Sequence, residues 1–259
     1  MARPQVKFVK ALWGMESTPH PEAAKKIAAA GFTAIEAPAE AIPSAVPFSD
    51  EGLGVVAMLF PTTLDELKAG LDKSARLNPV IINVHAGKDW WTLEEGIEFL
   101  SEAVKLSAPA PFYFETHRGR LFHQPSSAKA LLEAVPEVKI TADFSHWTCV
   151  CESLMPDQKE AMDLAIARTG YIHSRVGHEN GPQVPDPRAP EWQDKVEHFC
   201  GWWDQILDSA GEQGREEIYI DVEFGPPTYM PTIPYTREPT ADLWDICVWM
   251  RDHLQDRWK

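Results

Sequence analysis

Residues 138–178 read VKITADFSHWTCVCESLMPDQKEAMDLAIARTGYIHSRVGH. One apolar run ends near Asp143, a helical stretch starts near Gln158, and a second apolar run ends at His173. Short apolar runs separated by helix read as strands buried on both faces, joined by a crossover that leaves them parallel. The pattern extends in both directions. Upstream, PFYFETHR (111–118) carries Glu115 at the end of its run; downstream, EIYIDVEFG (217–225) carries Glu223.

Further out, the same rhythm completes eight units. QVKFVKALW (5–13) precedes PEAAKKIAAAG (21–31), where Pro21 suits a first helical turn and Gly31 a C-terminal cap. TAIEAP (33–38) precedes an irregular Ala/Pro segment. GVVAMLF (54–60) is followed by a helix that Thr62 or Thr63 caps, and PVIINVHAG (79–87) by TLEEGIEFLSEAVKLS (92–107). A helix follows PFYFETHR at 127–135. After the seventh strand comes HENGPQVPDPRAP (178–190), too long for a plain connector and a candidate cover for a site. A helix is expected from about Trp192 to Glu212, and ADLWDICVWMRDHLQ (241–255) closes the last unit. Eight units without an intervening linker predict a single (β/α)8 TIM barrel over residues 1–259.

A formal net charge of −15 argues against nucleic-acid and anionic-membrane surfaces. No stretch approaches the ~18 apolar residues of a membrane span, and the first residues lack an apolar signal-peptide core, so the chain reads as soluble and cytoplasmic. The four cysteines read as free thiols rather than a disulfide framework. A homo-oligomer is compatible with all of this.

Parallel strands alternating with helices bring all their C-terminal ends to one face. Glu115, Asp143, His173 and Glu223 are therefore expected to converge, and three carboxylates with one imidazole suit a divalent cation such as Mn²⁺, Mg²⁺, Co²⁺ or Zn²⁺, Mn²⁺ first. Alternation places Arg175 on the face of His173, and Asp221 one layer below Glu223 as a partner rather than a ligand. The competing readings pair Glu115 with Arg118 or Arg120, make Asp143 a helix cap, and pair Arg175 with Glu223 or Asp221. His85, Trp13 and His178 are candidates for substrate contact, with Arg175. His117, Arg118 and Arg188 stand at loop edges, and Glu36 is expected to make structural hydrogen bonds. Trp90, Trp91 and Trp147 also follow strands and could line a pocket, whereas Trp202, Trp203, Trp244 and Trp249 read as packing residues.

These motifs taken in order resemble the xylose isomerase-like barrel family, which includes sugar epimerases, hydroxypyruvate isomerase, inosose dehydratase and endonuclease IV. The resembling segments are AAAGFTAIEAP, FETHRGR, DFSHW, IHSRVG and VEFG. The resemblance implies one divalent ion on Glu115, Asp143, His173 and Glu223, with His146 facing substrate. It also implies that Glu115 and Glu223 exchange protons with a sugar carbon through a metal-stabilised enediolate. A trinuclear cluster like that of endonuclease IV is not expected, because the third strand lacks histidine and Asp186 is followed by Arg188. The leading expectation is a metal-dependent sugar isomerase or epimerase. The alternatives are a lyase (dehydratase or deglycosidase) on a keto-sugar, in which His146 or a loop residue protonates the leaving group, and a non-catalytic sugar-binding barrel.

Overall fold

A computed structural model describes residues 3–259; Met1 and Ala2 of the expected domain lie outside the described residues. Eight parallel strands close in sequence order: β1 (Gln5–Ala11), β2 (Ala34–Pro38), β3 (Gly54–Leu59), β4 (Ile81–Val84), β5 (Phe112–Glu115), β6 (Ile140–Ala142), β7 (Thr169–His173) and β8 (Glu217–Asp221). The barrel shuts where β1 pairs with β8, from Gln5 opposite Glu217 to Val9 opposite Asp221.

The helices are α1 (His20–Ala29), α2 (Val46–Ser49), α3 (Leu64–Ser74), α4 (Leu93–Ala103), α5 (Pro125–Ala134), α6 (Phe144–Cys151), α7 (Lys159–Arg168), α8 (Gln193–Glu212) and α9 (Leu243–Arg257). Their starts are written in the sequence. Thr63 caps α3 by accepting from the Glu66 amide, and Thr92 with Glu95 forms a reciprocal capping box on α4. Pro21 sits in the first turn of α1, and Gly31 takes a positive φ just past its end.

Two elements differ from the sequence reading. β6 stops at Ala142, so DFSHW is not strand but the start of α6, with Asp143 as its N-cap. The Ala/Pro segment after β2 contains a 3-10 turn (Ala39–Ala41) and the short α2. Proximity wins over strand propensity in the first case, because the Asp143 side chain offers the Ser145 amide a local acceptor.

Inside the barrel, Val9, Ala34, Val56, Ile81 and Tyr171 form an apolar plug. Side chains two residues further along a strand share its face. The next tier is thus Ala11, Glu36, Met58, Asn83, Glu115, His173 and Asp221. The tier beyond is Trp13, Pro38, Phe60, His85, His117, Arg175 and Glu223, all of which line the main cavity. The larger apolar core lies between strands and helices, where Trp203 and Trp202 of α8 are buried as packing residues. Among the described residues, no helix is long and apolar enough to cross a membrane.

Candidate metal centre and active-site cavity

Glu115 and His173 end β5 and β7, Asp143 follows β6 directly, and Glu223 stands two residues past β8. Glu223 is therefore not level with Glu115 and His173, as alternation along the strands suggested, but one tier above them, and Asp221 rather than Glu223 pairs in register with His173, because β8 ends at Asp221. Ligand atoms of Asp143, His173 and Glu223 lie within 4.8 Å of one another, as do those of Glu115, Asp143 and His146. His173 Nδ1 is 2.8 Å from Glu223 Oε2 and 3.7 Å from Glu115 Oε2. The structure thus brings the four side chains together, and all are buried.

Glu36 sets the orientation of His173. Its Oε2 lies 3.1 Å from His173 Nε2 and accepts the Tyr171 hydroxyl, and its Oε1 accepts from Asn83 Nδ2 at 2.9 Å. With Nε2 turned to a carboxylate, Nδ1 is the nitrogen left to face Glu115 and Glu223, and it stands in ion-pair range of Glu223. The same Asn83 nitrogen donates to Glu115 Oε2 at 2.6 Å, and His85 Nε2 stands 2.7 Å from that oxygen. Neither Arg118 nor Arg120 pairs with Glu115; they lie over the Tyr229 and Phe60 rings.

Asp143 does two things at once. Its Oδ1 caps α6 through Ser145, while its Oδ2 accepts from Arg175 Nε at 3.2 Å and Nη2 at 2.8 Å. Arg175 Nη2 also reaches Glu223 at 2.6 Å, and its Nη1 is unpartnered beside the cavity. Of the alternatives left open for Arg175, the structure shows the pairing with Glu223, and adds Asp143 as a second partner.

Excess negative charge governs the electrostatics. Burial opposes ionisation of Glu223, but Arg175 and then His173 outweigh it and hold the carboxyl at about 2. Burial likewise opposes Glu115, whose carboxyl is held well below its usual range by His85 and His173. Asp221 goes the other way, pushed well up by burial and by Glu36. Burial disfavours charge on His173, yet Glu36, Glu223 and Glu115 raise its pKa well above the ordinary value. A proton on His173 answers the same surplus of carboxylates that a divalent cation would. The donor set therefore fits such an ion: inward carboxylates outnumber the nearby fixed cations, and His173 Nδ1 points among them.

The cavity above has a volume of about 510 Å³. Trp13 forms one side, lying on Gly225 so closely that a Cβ there would come within 2.4 Å of its ring. Tyr229, in the loop after β8, meets Trp13 edge-on at 4.9 Å between ring centroids. His85 lines the cavity as expected. His146 does not: it is fully buried behind His117, their ring centroids 3.9 Å apart, with its Nε2 3.5 Å from Asp143. Burial pushes the His146 imidazole well below its usual pKa, and that of His117 down to about 4.

His178 is not in the cavity; it leans on Trp192 at 5.1 Å between centroids and bridges to Gly181. Asp186 and Arg188 are an ion pair at 2.7 Å, away from the centre. The 178–190 loop braces rather than covers: buried Gln183 exchanges two hydrogen bonds with the Gly225 backbone, and the loop contributes nothing to the cavity wall. Of the remaining strand-end tryptophans, Trp90 is exposed and Trp147 is buried, bonded to the Phe122 carbonyl. Asn83, Tyr171 and Tyr229 were not singled out from sequence. A polar residue within IINV was the available signal for Asn83; nothing local marks Tyr229.

The fold and centre together define a closed parallel barrel whose C-terminal face holds buried histidine and carboxylate groups able to bind a metal. No family model and no curated protein matches the sequence. Solved structures do match over almost the entire chain. The probable 3-DHS dehydratase of petrobactin synthesis from Bacillus anthracis is 12% identical with a TM-score of 0.64, covering 97% of this chain and 99% of that one. A xylose isomerase domain containing protein from Salmonella typhimurium is 13% identical with a TM-score of 0.64, covering 100% and 99%. Endonuclease IV from Thermus thermophilus is 16% identical with a TM-score of 0.56, covering 98% of each. At these identities the likeness is one of fold: the chain shares the closed (β/α)8 barrel of these proteins.

Proposed function

We propose that the chain is a divalent-cation-dependent enzyme, a sugar isomerase or epimerase that removes a proton from the carbon beside a carbonyl. The observation that carries this is the convergence of Glu115, Asp143, His173 and Glu223 below the cavity, with His173 Nδ1 turned toward Glu223 and Glu115. These four residues would hold the ion, Mn²⁺ before Mg²⁺, Co²⁺ or Zn²⁺. When bound, it supplies Lewis acidity toward a carbonyl oxygen and a neighbouring hydroxyl.

The remaining work belongs to the chain's own groups. Glu115 lines the cavity, is ionised, and is held in place by Asn83 and His85, so it is assigned as the base. Arg175 fixes Asp143 and Glu223 through Nη2, its guanidinium lying against the Trp13 and Tyr229 rings of the cavity wall. Glu223, across the cavity floor, is the second acid–base group that an epimerase needs, and it must loosen from Arg175 to accept a proton.

That restraint favours a second reading, a lyase. Proton abstraction by Glu115 would be followed by departure of a β-substituent, protonated by an imidazole at the wall. His117 takes that place instead of the buried His146, since it lines the cavity. The name of the Bacillus anthracis dehydratase of similar fold is in keeping with elimination chemistry.

The test is incubation in D₂O with Mn²⁺ and a panel of ketoses, inososes and 3-keto-glycosides, followed by NMR. Deuterium should appear at the carbon next to the carbonyl, and Glu115→Gln should slow its entry by at least ~10²-fold. An isomer or epimer as product identifies the first reading and an unsaturated product the second. No exchange with any member at saturating Mn²⁺ sinks both.

A further inference from the structure

The cavity divides by strand. From β4 round to β8 the strand ends in its wall are charged or imidazole, His85, Glu115, His117, Arg175 and Glu223, with Tyr229 added by the loop after β8. From β1 to β3 it is apolar: Leu12, Trp13, Met15, Pro38, Met58 and Phe60. Trp13, Pro38 and Phe60 stand at the same register positions, two past the inner tier, that hold His85, His117, Arg175 and Glu223 elsewhere. The fold does not impose that difference; the sequence chooses it. The ionisable groups on the apolar side are turned to other tasks, since Glu36 holds His173, Glu16 accepts from the Gly14 amide, and His20 leans on Phe48.

The space is also too large for a small polyol alone. At about 30 Å³ per water, the 510 Å³ cavity has room for on the order of 17 waters. A single sugar ring over Glu115 leaves the β1–β3 half filled with water against thioether and aromatic surface, which is unfavourable. Phe60 stands 45% exposed at the mouth, stacked loosely on His85 at 4.7 Å between centroids, where it can meet an incoming flat group.

We infer that the substrate is a hydroxylated carbonyl compound bearing a flat apolar group of about phenyl size. The polar head sits over Glu115 and Arg175, and the apolar group lies against Leu12, Met58 and Phe60. The chemistry of the head rests on the proton-abstraction reading; recognition of the apolar group does not.

Calorimetry on the full chain with Mn²⁺ tests this with two unreactive probes, phenyl β-D-glucoside and methyl β-D-glucoside. The phenyl compound should bind at least about 10-fold more tightly, the low end of what an apolar pocket discriminates. Met58→Gln and Phe60→Ala, at partly exposed positions and checked for folding by circular dichroism, should each reduce that ratio by about 5-fold. A ratio near one, a ratio unchanged in both variants, or no binding of either probe overturns the inference. The readout needs no turnover, so the two proposals fail separately. A phenyl preference without deuterium exchange in any member of the panel retains this inference and removes the proton-abstraction reading; exchange without a phenyl preference does the reverse.

Discussion

Glu36 is the residue on which the centre's orientation turns. Three donors converge on its carboxylate, from Tyr171, His173 and Asn83, and Asn83 carries the link on to Glu115. A ligand imidazole whose other nitrogen is fixed by a carboxylate binds its metal more tightly, and losing that partner typically costs 10–100-fold in affinity. Glu36→Gln should therefore weaken Mn²⁺ binding by about 10–100-fold in a calorimetric titration, with the far-ultraviolet spectrum unchanged. Unaltered affinity would mean that His173 is held by something else. Arg175 is the other decisive residue. A buried guanidinium needs anionic partners, and Asp143 and Glu223 provide them on one side while Nη1 stays free on the other.

Among the elements, the loops after β7 and β8 depend on each other. Gln183 accepts the Gly225 amide at 2.6 Å and donates to the Gly225 carbonyl at 3.1 Å, two residues from Glu223. The pair mimics a ladder rung between two irregular segments and holds the chain that carries Tyr229 and supports Trp13. Gln183→Ala should speed hydrogen exchange of the Gly225 amide by at least about 10-fold while leaving the β1–β8 strand amides protected. Equal protection in the variant would show that the loop holds itself. The conversion of DFSHW from strand to helix is an event at this scale too. Asp143 caps α6, α6 carries His146 behind His117, and the cavity wall is then His117 rather than the residue the sequence pattern favoured.

Over the whole molecule, the terminal segments are joined through one carboxylate. Asp204 of α8 accepts from Arg257 and Trp258 at the C-terminal end and from Arg3 at the N-terminal end. Burial raises its pKa, but the hydrogen bonds from Arg257 and Trp258 outweigh this, so the folded value lies below the ordinary one. A depressed carboxyl contributes stability that is complete above the unfolded pKa of about 3.9 and is lost as the pH falls through the folded value. Asp204→Asn should thus lower the melting temperature by about 2–4 °C at pH 7. In a scan of melting temperature against pH, that gap should close below about pH 4. A gap that persists at low pH would show that packing, not charge, is what the aspartate supplies. By itself the sequence determined the barrel, because short apolar runs and capped amphipathic helices are local signals that repeat eight times. It also determined which strand ends carry carboxylate or imidazole, since a parallel barrel delivers every such end to one face. Only the tertiary structure decided which of those groups meet. That Arg175 bridges Asp143 and Glu223, that Glu36 and Asn83 fasten His173 and Glu115, and that His117 screens His146 are matters of distance between residues far apart in the chain. The division of the cavity into an apolar and a charged half draws on both: the sequence chose the residues at equivalent positions, and the closed barrel gathered those of β1–β3 on one side.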